Sequence, residues 1–280
     1  MPPKNIEKNN GQNLDYEFSQ IDYIKKYNNQ YHLENQGNPD MKILGAYKCN
    51  PFFGENYADK EPIMAYLTQE KNKEKYVAAY NLGHNYLMFG TNFINIVKGK
   101  ECQLERSRNI LSRSVVAHEL LHYYFEKCIP TEEKQNLLKL CAHKINLFYP
   151  LINKVLEKDT HFYQIVENSK YRQATGTGSK FRPFFHNGKT YEIDMYEALT
   201  EVFAFTIQKK YHDEIQPSMR NDTEEKKYFG KPDYINQEIE KIKSQHPELK
   251  EVLNKIPPPN FYYHADALHK KIVNVLATTQ

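Results

Sequence analysis

The chain has 280 residues, 40% hydrophobic and 26% charged, long enough to bury a sizeable core as one large domain or one domain plus appendages. A formal net charge of +3, with Lys and Arg spread along the sequence, argues against a nucleic-acid or membrane-surface binder. No run approaches the about 18 apolar residues that a membrane span needs.

Residues 1–40, rich in Asn, Gln and Lys, read as a weakly ordered or peripheral segment. Met1 to Asp15 lacks the apolar stretch of a signal peptide, so the expectation is a polypeptide made in the cytoplasm, with secretion or translocation into a host cell left open. The main domain is expected over 41–256. Its first part alternates short apolar runs with turn residues, and Lys75–Tyr80 and Asn85–Val97 read as strands. From Arg106 to Lys127 the period changes to that of a helix, ended by Pro130, and a second long helix is expected from a Thr131 cap to about Lys158.

Thr175–Ser179 is a Gly-containing loop without the lysine of a phosphate loop. Phe181–Tyr196 predicts a hairpin turning at Asn187-Gly188, and a helix follows from about Met195 to Tyr211. The rest, from Asp222, is charged and mainly helical. Residues 257–280 form a Pro-rich link and a C-terminal helix, in which His264 and His269, five apart, cannot share a helical face and read as surface residues. Four scattered cysteines, without CxxC spacing, read as free buried thiols.

The chemistry concentrates in His118-Glu119-Leu120-Leu121-His122. On a helix, positions i and i+4 share a face, so the two imidazoles point at one spot and can share Zn²⁺. Zinc lowers the pKa of water, and Glu119, beside the first ligand, is placed to take the proton as water attacks a peptide carbonyl. The neighbours Val115, Val116, Ala117, Leu120, Leu121 and Tyr124 make this helix apolar on nearly all sides. Buried histidines and a buried glutamate there would be costly without a partner, and a metal supplies one.

A catalytic zinc needs a third protein ligand and an open position. One class of zinc protease would place Gly at 125 and His at 128, but those positions hold Phe125 and Cys128. A glutamate on a later helix is the alternative, as in the gluzincins. Glu197 and Glu201 lie one turn apart on a helix otherwise apolar at Leu199, Val202, Phe203 and Phe205. Glu197 is assigned to the metal and Glu201 to a position behind it, accepting an imidazole N–H; the reverse assignment fits the spacing as well.

The HELLH motif together with Tyr196-Glu197-Ala198-Leu199-Thr200-Glu201-Val202-Phe203 resembles the catalytic region of the anthrax lethal factor-like and Pro-Pro endopeptidase metalloproteases. These show HExxH, then a helix bearing ExxxE and an aromatic residue. His246-Pro247-Glu248-Leu249, before Leu253, is similar to the end of such domains. The resemblance spans roughly residues 75–256, although the gap from His122 to Glu197 is long for the group.

It implies an α+β zincin-like fold, with a small twisted sheet over the HExxH helix and a mainly helical C-terminal half. It further implies a transition-state-stabilising tyrosine seven residues before the ligand glutamate. Thr190 stands there, and the adjacent Tyr191 is the candidate. HELLH also occurs in effector proteases related to botulinum light chains, but their EE-x-R-T pattern is lacking here.

The expected protein is a monomeric zinc endopeptidase that cleaves a particular protein, with a host target and an effector or toxin role suggested by analogy. The substrate peptide is expected to pair with an edge strand within Asn85–Val97. The rivals are a housekeeping peptidase of short peptides and a non-catalytic binding module.

Overall fold

The computed structural model describes residues 41–47, 63–68, 77–81, 86–100, 105–156, 181–186, 189–214 and 223–278. The expectations for residues 1–40 and Thr175–Ser179 lie outside them. The first elements are short strands: β1 (Met41–Tyr47), β2 (Ile63–Thr68), β3 (Ala78–Asn81) and β4 (Tyr86–Phe89). Their backbones pair in the order β1-β2-β4-β3, parallel between β2 and β4 and antiparallel elsewhere.

Two strand expectations are corrected here. Thr91–Val97 is a helix, α1, entered through Gly90. Phe93-Ile94-Asn95-Ile96-Val97 satisfies a helical period as well as a strand's, and α1 buries Phe93 and Ile96 one turn apart, with the Phe93 ring 4.6 Å from that of Phe89. The remaining strand, β4, is flanked by β2 and β3, so the stretch expected to offer a free edge to a peptide is already paired on both sides.

The α+β zincin-like class is corrected as well. Over the residues whose side chains the structure describes, 83% are helical and 4% are strand, too little for a sheet layer. The strands contribute a handful of buried side chains, among them Ala65, Leu87 and Phe89, and helices supply the rest of the core. The body of the protein is therefore a helical assembly.

Its centre is α2 (Glu105–Tyr123), which runs into a π-helical turn at Tyr124–Cys128. Every residue from Val116 to Leu121 is buried, and six consecutive positions cover more than a full turn. The helix is therefore enclosed on all sides at HELLH, as its apolar neighbours predict. In the π turn the Ile129 N–H donates to the Tyr124 carbonyl at 3.1 Å, and Phe125 and Cys128 face inward.

The expected long second helix is two: α3 (Thr131–His143) and α4 (Ile145–Leu156), broken at Lys144. Thr131 is the first residue of α3 rather than its cap, which is Pro130. On α4, Phe148, Leu151, Ile152 and Val155 make a buried stripe at helical spacing. Strands β5 (Phe181–His186) and β6 (Lys189–Asp194) pair antiparallel with His186 opposite Lys189, a register consistent with the expected hairpin, whose turn residues Asn187 and Gly188 lie outside the described residues. That hairpin leads into α5 (Met195–Asp213).

The chain ends with α6 (Thr223–Gln245), α7 (Pro247–Leu253) and α8 (Phe261–Thr278). Lys144, at the break, pairs with Glu248 on α7 at 2.7 Å. Helix α2 packs against α1, α5 and α8, and α5 packs in turn on α4 and α6. Buried Phe261, Ala265, Leu268, Ile272 and Leu276 join α8 to the same core. His264 and His269 are corrected by this packing: at 3% and 5% exposure they are interior residues. Spacing argued only that they share no face, and burial by a neighbouring helix does not require one. Among the described residues Cys128 and Cys141 are buried thiols outside any disulfide, as the scattered spacing suggests. Among the described residues no helix is long and apolar enough to cross a membrane.

Candidate metal centre

Helices α2 and α5 bring three side chains to one point. His118 Nε2 lies 3.2 Å from Glu201 Oε2, and His122 Nε2 lies 3.1 Å from Glu201 Oε1. One turn of α2 separates the histidines, and their rings meet edge to face at 5.1 Å. The ring of Phe205, one turn beyond Glu201 on α5, stands edge-on to His118 at 4.9 Å and limits how that imidazole can rotate. All three side chains are more than four-fifths buried.

Burial of the Glu201 carboxyl works against its charged form. The pull of His122 and hydrogen bonding to both imidazoles outweigh that and hold it well below the usual carboxylate range. Glu119 is also buried, beside His118 on the central helix.

The chemistry of this donor set fits zinc. A tetrahedral Zn²⁺ with nitrogen and oxygen donors at about 2.0–2.2 Å holds its ligand atoms roughly 3.3 Å apart. The two N···O separations here, 3.1 and 3.2 Å, are close to that edge length. The donor atoms of His118, His122 and Glu201 all fall within 4.8 Å of one another. The buried Nδ1 of His118 has no hydrogen-bond partner among the described residues, so ligation through Nε2 would leave it without the acceptor that usually orients a ligating imidazole.

Of the six residues singled out from the sequence, the structure brings His118, His122 and Glu201 together and buries Glu119 next to them. Glu197 is one turn before Glu201 on α5, and Tyr191 is in β6 opposite Phe184. The side chains of Glu197 and Tyr191 lie outside the described residues. Arg113 carries no local signal in the sequence, because its partners Asp266 and Glu214 are more than 100 residues away.

A second cluster, His212, Asp213 and Asp233, also gathers possible donors. There His212 Nδ1 is 2.7 Å from Asp233, and the Lys209 ammonium bonds Asp213 and approaches Asp233 at 3.8 Å. Lysine already supplies the positive charge that a metal would bring.

No protein-family model matches the chain, and no curated protein and no solved structure does so either.

Proposed function

We propose that the protein is a zinc-dependent peptide hydrolase whose metal is held by His118, His122 and Glu201. The observation that carries this reading is the seating of one buried carboxylate across two Nε2 atoms at the spacing of a tetrahedral zinc shell. The motif assigns Glu201 the outer position and Glu197 the metal. The distances favour the exchange, since Glu201 faces the atoms by which both histidines would ligate. Glu119 fits a general base that takes a proton from the attacking water and passes it to the leaving amine. Zinc, when bound, acidifies that water and polarises the scissile carbonyl. Tyr191 is the candidate for stabilising the developing negative charge, on the resemblance alone.

The same distances are those of hydrogen bonds, and this favours one rival, a metal-free His–Glu–His cluster that holds α2 to α5. Zinc stoichiometry decides between them. The purified chain, equilibrated with micromolar zinc and desalted, is expected to hold one zinc per chain, and His118→Ala to hold none. A wild-type chain that stays metal-free would rule the zinc reading out. Peptide-library cleavage by the zinc-loaded chain then tests the hydrolase reading.

A further inference from the structure

Arg113 lies on α2 five residues before His118, roughly 7.5 Å along the axis. Its guanidinium joins three helices. Nε donates to Asp266 Oδ1 at 2.9 Å and Nη2 to Asp266 Oδ2 at 2.8 Å, a two-pronged bond to α8. Nη1 donates to Glu214 Oε2 at 2.7 Å, and Glu214 directly follows α5. The assembly is braced further. The Tyr211 hydroxyl donates to Asp266 Oδ1 at 3.0 Å, the Arg113 guanidinium lies over the Tyr211 ring at 5.0 Å, and Arg106 donates to the Glu214 carbonyl at 2.9 Å. Tyr211 is fully buried on α5, and its hydroxyl pKa is pushed up by burial and by Asp266.

The centre depends on the same two helices. Glu201 meets His118 and His122 toward one end of the α2–α5 pair, and Glu214 meets Arg113 and Arg106 toward the other. The helices thus run antiparallel, tied at both ends. A slide of α5 along α2 would move the Glu201 backbone relative to both imidazoles.

We propose that Arg113 is a positioning residue for the His118–His122–Glu201 centre. Its fork on Asp266 and Glu214 sets the register of α5 on α2 and makes α8 part of the metal centre's support. This inference rests on the zinc reading above. Arg113 touches neither metal nor substrate; it acts through the helices.

The test measures zinc affinity by competition with a chromophoric chelator, in wild type, Arg113→Gln, Arg113→Lys and Asp266→Asn. A control, Leu276→Ala, removes α8 packing without touching the fork, and Tm of each zinc-free chain is recorded alongside. Arg113→Gln is expected to weaken zinc binding about 10-fold, the low end of the range for loss of a partner bonded directly to a metal ligand. Asp266→Asn is expected to lose less. The double variant should lose less than the sum of the two, because both remove one fork.

Arg113→Lys keeps the charge without the fork and should recover only part of the affinity. Leu276→Ala should lower Tm while leaving zinc affinity unchanged. Wild-type affinity in Arg113→Gln, or a loss matched by Leu276→Ala at equal Tm, overturns the positioning role. A wild-type chain that takes up no zinc overturns the metal reading itself, a result read on the unaltered protein.

Discussion

The Ser112 hydroxyl and His269 Nε2 lie 2.7 Å apart in the interior, where α2 meets α8. The groups facing His269 there are Ser112, Arg113 and Asp266. Burial first, and then Arg113, push the His269 pKa from 6.5 down to about 4, with Asp266 pulling the other way. Burial also pushes His264 down to about 4.

Acid sensitivity follows from this, with its sign fixed by linkage. The folded state keeps both imidazoles neutral to about pH 4, whereas the unfolded chain binds their protons near 6.5. The unfolded state binds more protons in between, so stability falls as pH drops from about 6.5 toward 4 and changes little further through these groups below that. Each histidine can account for at most on the order of 3 kcal/mol. Urea unfolding of the zinc-free chain at pH 7.5, 6.5 and 5.5 should show the midpoint dropping. His269→Gln, which can still bond Ser112, should flatten the drop. A midpoint equally pH-dependent in that variant would mean that His269 is not the group responsible.

How much of this was legible depended on sequence distance. The HELLH helix, the pairing of β5 with β6 and the helix from Met195 are local patterns, and the structure has them where the patterns lie. Thr91–Val97 reads as strand from sequence because its apolar positions suit two periods, and only the docking of Phe93 and Ile96 chooses the helix. The α+β expectation failed for a related reason. Short aromatic runs look like strands, but α2, α4, α5 and α8 supply most of the buried surface. The union of Arg113 with Asp266 spans 153 residues, and no local pattern announces it.

Glu119→Gln separates chemistry from metal binding. The amide keeps the shape of the side chain but cannot take a proton, so zinc content should stay at the wild-type value. Hydrolysis of a cleaved peptide should fall by about 10²–10⁴-fold, the usual contribution of a positioned base. Activity retained within a few-fold in a zinc-replete variant would remove Glu119 from the mechanism.

Phe125 and Phe203 stack with ring centroids 5.6 Å apart and planes 17° apart, and both are buried. Phe125 sits in the π turn three residues after His122, and Phe203 two residues after Glu201, so their contact joins the two segments that carry the centre's side chains. Phe125→Ala is expected to cost about 3–5 kcal/mol in urea unfolding. A loss under about 1 kcal/mol would show that the π turn does not seat this ring in the core.

The third ligand is decided by comparing two amides. Glu197 and Glu201 are one turn apart on α5, so the sequence alone allows either to meet the metal, and the geometry puts Glu201 against both Nε2 atoms. Glu201→Gln should weaken zinc binding by more than about 100-fold, beyond the loss typical of an outer partner. Glu197→Gln should cost less. The opposite order would return the ligand role to Glu197 and leave Glu201 as an acceptor for the imidazoles. In that case the 3.1 and 3.2 Å contacts are hydrogen bonds at Nε2, and His118 and His122 would have only Nδ1 left to offer a metal.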